Sequence, residues 1–222
     1  MRTVCGVARQ VQRLFGSGGL PVVPVAEVRP PPGGRTPLVT DRIGEQRRAG
    51  ARLDQVDGTT CGSAVLVALA AWADPNELAR LDGSGFGARY DARQKQVHGE
   101  TNRLWPQAMG TTPWAMAQWM RRNVAAAGLY RVRLVDDVSF DDVAHVVAAV
   151  DAALVSGRPV PLLVGQFVPR HYVLALGGHE GGWRVYEPSS GSVRVLDPAR
   201  TGARTLAPVL GFDRLHAALL PT

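Results

Sequence analysis

The sequence predicts an α+β fold. Two observations carry this. Capped, apolar helical patterns crowd into residues 61–156, and short β-rich runs divided by Gly, Pro and Ser fill residues 159–196. Gly157 stands between the blocks. Helices first and sheet second is the segregation of an α+β domain. The length of 222 residues fits one such domain with an extension, and 45% hydrophobic residues suffice for a real core.

The elements follow in order. Met1–Gly19 carries Arg2, Arg9 and Arg13 but no continuous apolar region, so it is not read as a secretion signal. Val4, Val7, Val11, Leu14 and Phe15 give it the period of a short amphipathic helix, read first as docked or frayed, with an anchor, a pro-segment or a partner handle as alternatives. Gly16–Arg35 holds GSGG, PVVPV and RPPPGG and reads as a linker. Residues 1–50 are therefore expected to be a flexible or extended segment, with Cys5 on it, and residues 51–222 the domain. Cys61–Ala73 is Ala/Leu/Val-rich and free of proline, a helix that Thr59 or Thr60 can cap. Asp74 caps a second helix through Leu81, with Pro75 at its first position.

Asp82–Trp105 is polar, contains Gly83, Gly85 and Gly87, and is expected to be a mobile loop. Thr112 and Pro113 start a helix over Trp114–Ala127, its apolar face drawn from Trp114, Ala117 and Met120 and broadened by Met116 and Trp119, ended by Gly128. Tyr130–Val135 alternates as a strand. Asp141 or Asp142 caps Val143–Ser156. The strands Pro159–Val168, His171–Gly177, Trp183–Glu187 and Ser192–Leu196 follow, and a short helix over Asp213–Leu219 closes the chain.

Composition removes several functions. The net charge is +6, and 24 of 25 basic residues are arginine, Lys95 being the other. They are scattered, with no basic stripe interleaved with aromatics, so nucleic acid is not an expected partner. No apolar run approaches the ~20 residues that span a bilayer. His98, His145, His179 and His216 lack zinc spacing, and Cys5 and Cys61 are too far apart in sequence for a compact site. No metal or cofactor is expected. Two cysteines are read as thiols of a reducing compartment, which places the chain in the cytoplasm.

One group of residues points to chemistry. Gln55 precedes Cys61 by six positions, in QVDGTTCGSA. His171 opens the run HYVLALG, and Glu187 stands in YEPSSG. A thiol attacks as its thiolate, which a helix N-terminus and an imidazolium both favour. A histidine can then protonate the leaving group, with an acid on its second ring nitrogen to fix the tautomer. A glutamine amide beside the cysteine N–H can donate to the developing oxyanion.

The blocks Gln-x5-Cys-Gly, His-Tyr-(apolar)4-Gly and acid-Pro-x-x-Gly resemble the papain-like cysteine peptidases. The bacterial group that processes bacteriocin leaders at double-glycine sites is the most similar. The resemblance runs from Gln55 to Asp197. It implies a two-lobed fold with the nucleophile helix in a helical lobe and an antiparallel sheet in the other. It implies Cys61 as nucleophile, His171 as base and acid, Glu187 as orienting residue and Gln55 as oxyanion donor. It further implies hydrolysis of a peptide or isopeptide bond in a peptide or protein substrate. That group usually has Asp before the proline, and Asp197 in Leu196-Asp197-Pro198 is the rival for the third position. Two other functions use the same residues: acyl transfer from glutamine side chains (deamidation or transglutamination), and an idle domain that only binds a peptide.

Overall fold

A computed structural model describes residues 1–14, 37–102 and 110–222. The linker-like stretch Gly16–Arg35 lies outside them. No described helix is long and apolar enough to cross a membrane.

The fold is mixed α and β, as the sequence predicts. Strands β1 (Gly44–Glu45), β4 (Tyr130–Leu134), β5 (Val160–Gly165), β6 (Pro169–His179), β7 (Gly182–Glu187), β8 (Ser192–Leu196) and β9 (Arg214–Pro221) form one sheet. Its order is β1-β8-β7-β6-β5-β9-β4. Every pairing is antiparallel. A small hairpin joins β2 (Arg47–Arg48) to β3 (Ala51–Arg52).

Alternating side chains bury both faces of the sheet. On one face Leu163, Tyr172, Leu174 and Tyr186 pack with α2 (Cys61–Ala73), α4 (Phe86–Thr101) and α5 (Pro113–Asn123). On the other, Leu162, Val173, Val185 and Ala218 pack with α6 (Phe140–Val155). Helix α2 is buried along nearly its whole length, which explains an apolar composition with no polar stripe. Helix α3 (Pro75–Leu81) starts as predicted, with Asp74 accepting from the Asn76 N–H and Pro75 in the first turn.

Four expectations are corrected. Asp82–Trp105 is not a loop. Gly83 and Gly85 only lead into α4, and Gly85 takes the left-handed conformation at its start. Phe86, Tyr90, Gln94, Val97 and Thr101 form its buried stripe, a helical period partly written in polar residues. Residues 103–105 lie outside the described chain. Helix α5 buries Met116, Trp119 and Met120 of its expected apolar face, but Trp114 is exposed. It stops at Asn123, and a 3-10 turn, Ala125–Ala127, carries the chain to Gly128.

Helix α6 begins at Ser139, whose side chain accepts from the Asp142 N–H, so neither Asp141 nor Asp142 is its cap. Finally, Asp213–Leu219 is not a helix but most of β9, between β5 and β4. A short apolar run fits a doubly buried strand or a helix equally well, and only the neighbouring strands decide.

Residues 1–14 and 37–50 also contribute elements. Gly44–Glu45 pairs with β8, and α1 (Val4–Leu14) packs beside β4 and β9. Cys5 therefore sits half-buried on a docked helix rather than on a free arm. Burial, with Asp137 nearby, pushes its thiol up to about 11.

Candidate active site

Cys61 is the first residue of α2 and is buried. Thr60 precedes it without capping the helix: its hydroxyl and the Asp57 backbone bond one another instead. The first intrahelical bond runs from the Ala64 N–H to the Thr60 carbonyl. The N–H groups of Cys61, Gly62 and Ser63 therefore lie ahead of the helical ladder, the end that carries partial positive charge. Gly62 sits in tight space. A Cβ there would lie 3.3 Å from the Tyr172 ring and 3.4 Å from Thr111 Cβ. Tyr172 is pinned in turn by its hydroxyl, which donates to the Thr111 carbonyl at 3.0 Å.

His171 lies near the start of β6 and is 5% exposed. One ring nitrogen, Nε2, is 2.7 Å from Glu187 Oε1. With Nε2 engaged by Glu187, Nδ1 is the ring nitrogen left for the Cys61 thiol, which acts on the ring together with Glu187. Burial alone would lower the ring's pKa. The bonds and charges of Cys61 and Glu187 outweigh burial and push it up to about 9. Phe212, in the turn before β9, covers the ring with centroids 5.9 Å apart and planes tilted by 32°.

Glu187 ends β7 and is also 5% exposed. It follows Tyr186, which faces Leu174 across the β6–β7 pair. The carboxylate also folds back on its own turn: Oε1 accepts from the Ser189 N–H at 2.7 Å and Oε2 from the Ser190 N–H at 2.9 Å. Arg194 Nη2 is 3.9 Å from Oε2. Burial would raise this carboxyl's pKa, but the bonds from His171, Ser190 and Ser189 hold it down at about 2.

The turn after Glu187 is locked to the strand beneath it. Gly191 is left-handed (φ 56°), and a Cβ there would lie 2.9 Å from Arg52 Cγ and 3.0 Å from the Leu53 carbonyl.

Gln55 is placed beside this turn. Its backbone N–H donates to the Pro188 carbonyl at 2.9 Å, and its Oε1 accepts from Ser189 Oγ at 3.1 Å. Its amide nitrogen donates to the Asp57 carbonyl at 2.5 Å. Gln55 thus links the nucleophile's loop to the acid's turn, with its NH2 group already engaged. Asp197 stands apart: it is exposed, and its carboxylate accepts from the Ala199 N–H to start a short helical turn.

His171 is therefore hydrogen-bonded to Glu187 and electrostatically coupled to Cys61. Such a group can move a proton at Nδ1 while Nε2 stays fixed by the carboxylate. Phe212 and the Ser189–Ser190 backbone complete it. No motif announces Phe212, whereas the small residues after Glu187-Pro188 are a turn signal that could suggest backbone donors. Among the described residues, no three His, Cys, Asp or Glu side chains converge where a metal could be held. An open depression of about 870 Å³ runs along α5 past Glu100, Thr112 and Trp114 and includes none of the site residues.

No protein-family model and no curated protein matches the sequence. Among solved structures, the chain is similar to a double glycine motif protease from an AMS/PCAT transporter, solved in complex with the leader peptide. The identity is 10% and the TM-score 0.42, over 82% of this chain and 94% of that one.

Proposed function

We propose that the protein is a thiol-dependent hydrolase of the papain-like type, acting on a peptide or isopeptide bond. The observation that carries this reading is the His171–Glu187 hydrogen bond, with His171 coupled to Cys61 at the start of a buried helix.

In this reading the Cys61 sulfur attacks the carbonyl carbon and the oxygen becomes an anion. The Cys61 N–H lies where it can receive that charge. Gln55 joins it once the substrate draws its amide from the Asp57 carbonyl. His171 then passes the Nδ1 proton to the departing nitrogen, the C–N bond breaks, and a thioester remains on Cys61. Water, deprotonated by His171, attacks the thioester. The acid is released and the thiol restored. Glu187 keeps the ring oriented and stabilises its positive charge throughout.

Mass-spectrometric analysis of a digested peptide library tests this. Hydrolysis products that vanish in Cys61→Ala support it. If wild type yields no cleavage but converts glutamine to glutamate, or joins it to amines, the acceptor is different. Wild type that binds peptides and turns over none of them leaves only a binding domain.

A further inference from the structure

Helix α1 is docked inside out. Its buried positions are Gly6 and Arg9. Arg9 and Arg13 turn to the fully buried Asp142, and Arg2, just ahead of the helix, to Asp136 at 2.8 Å. Thr3 donates to Asp137 through both its N–H and its hydroxyl, at 3.0 Å each. The apolar stripe faces away: Val4 is 58% exposed and Leu14 78%, with Val7 and Val11 between them.

Two apolar flanks extend the stripe. The Val4 N–H donates to the Phe167 carbonyl at 3.0 Å, which sets half-exposed Phe167 and Val168 at one end. The bonds to Asp136, Asp137 and Asp142 lay the loop bearing Val138 and Phe140 alongside the helix, and Phe140 is 83% exposed. With Met1, these positions make nine of the thirteen exposed large hydrophobics among the described residues. Clustering of this kind marks an interaction surface rather than ordinary scatter.

An 11-residue helix is too short to be stable alone, where roughly 12–15 residues are marginal. Its polar face is fixed by ion pairs. Its apolar face contributes only when something covers it. The spacing 4, 7, 11, 14 is a 3-4-3 heptad seam, with Val at one position and Val or Leu at the other, which suits a second helix. A lipid surface is a poorer match, because interfacial helices offer basic side chains to headgroups and these arginines are tied to aspartates. Helix α1 has no acidic residue, and its arginines are neutralised inward. Two copies of this face can therefore meet without like-charge contact, despite the net charge of +6.

We propose that α1 and its flanks form an isologous contact with the same surface of a second copy of this chain. Two heptads and their flanks fall short of the ~800 Å² per partner of a standard interface, so the dimer is reversible, with Kd in the range of about 1–100 μM. Sedimentation equilibrium of the full chain, from about 1 to 300 μM, is the test. Wild type should pass from monomer to dimer. The double variant Val7→Gln, Val11→Gln should stay monomeric while its Cys61 alkylation rate is unchanged, because those side chains touch neither the core nor the site. Gln10→Glu, beside the seam, should weaken the dimer less than tenfold. A wild type monomeric throughout overturns the proposal. So does a dimer that the double variant keeps. A monomer that instead binds anionic vesicles through this stripe would assign it to a membrane surface. Loss of activity with the dimer intact would count against the peptidase reading and leave this one standing.

Discussion

Glu187 Oε1 lies 2.7 Å from His171 Nε2, while two backbone N–H groups of its own turn hold both carboxylate oxygens. The carboxylate stays charged because His171 and its own turn solvate it.

Glu187→Gln should therefore lower kcat by roughly one to three orders of magnitude, with KM little changed, because an orienting residue makes no bond to substrate. Glu187→Asp keeps the charge but loses the reach and should fall in the same range. Asp197→Asn should leave kcat within about twofold, since its carboxylate serves only the Ala199 turn. Steady-state kinetics of the three variants checks this; a silent Glu187→Gln would remove Glu187 from the account.

The pH dependence follows from the signs of two shifts. His171 is raised from 6.5 to about 9, so its contribution to stability is complete below pH 6.5 and disappears as pH rises through 9. Glu187 is depressed from 4.5 to about 2, so its contribution is present above pH 4.5 and disappears as pH falls toward 2. Urea titrations across pH should show this pair's effect as a plateau between about 4.5 and 6.5, absent from His171→Ala. Turnover that needs the imidazolium should fall on the alkaline side near pH 9, and Glu187→Gln should move that limb to lower pH.

Phe212→Ala should uncover the His171 ring and let water compete for its hydrogen bonds. We expect kcat to drop by about tenfold and the alkaline limb to move downward, with a stability loss of about 1–2 kcal/mol for a half-buried aromatic. Phe212→Leu should restore most of both. A loss of stability without a moved limb would reduce Phe212 to packing.

Gly62→Ala separates activity from stability. Alanine gains helix propensity worth up to about 1 kcal/mol, which offsets part of the contact with Tyr172 and Thr111. The added methyl displaces the start of α2 by tenths of an ångström, and Cys61 with it. Tm should change little, and kcat should fall by roughly tenfold or more. Unchanged kcat would show that the thiol tolerates the shift.

Much of this was legible in the sequence, and the reasons differ by element. Helix α2, its Cys-Gly start and the Asp74-Pro75 start of α3 are local signals, complete within a few residues. The grouping of Cys61, His171 and Glu187 was legible as three short motifs, although their contact is made only by the sheet. Helix α4 was obscured because Gln94 and Thr101, both buried and hydrogen-bonded, occupy positions where a periodic reading looks for hydrocarbon. Strand β9 was obscured because both of its faces are buried, which erases alternation. The docking of α1 by its arginines could not be anticipated, because Asp136, Asp137 and Asp142 lie more than 120 positions away in sequence.

The most direct test of the central claim is the site and rate of acylation. The protein is mixed with an activated peptide ester, quenched in acid within the first turnover, and the adduct located by peptide mass spectrometry. The account predicts one acyl group per chain, on Cys61, absent in Cys61→Ala and slowed at least a hundredfold in His171→Ala. An adduct on Cys5, or acylation of Cys61 at the same rate without His171, would contradict it.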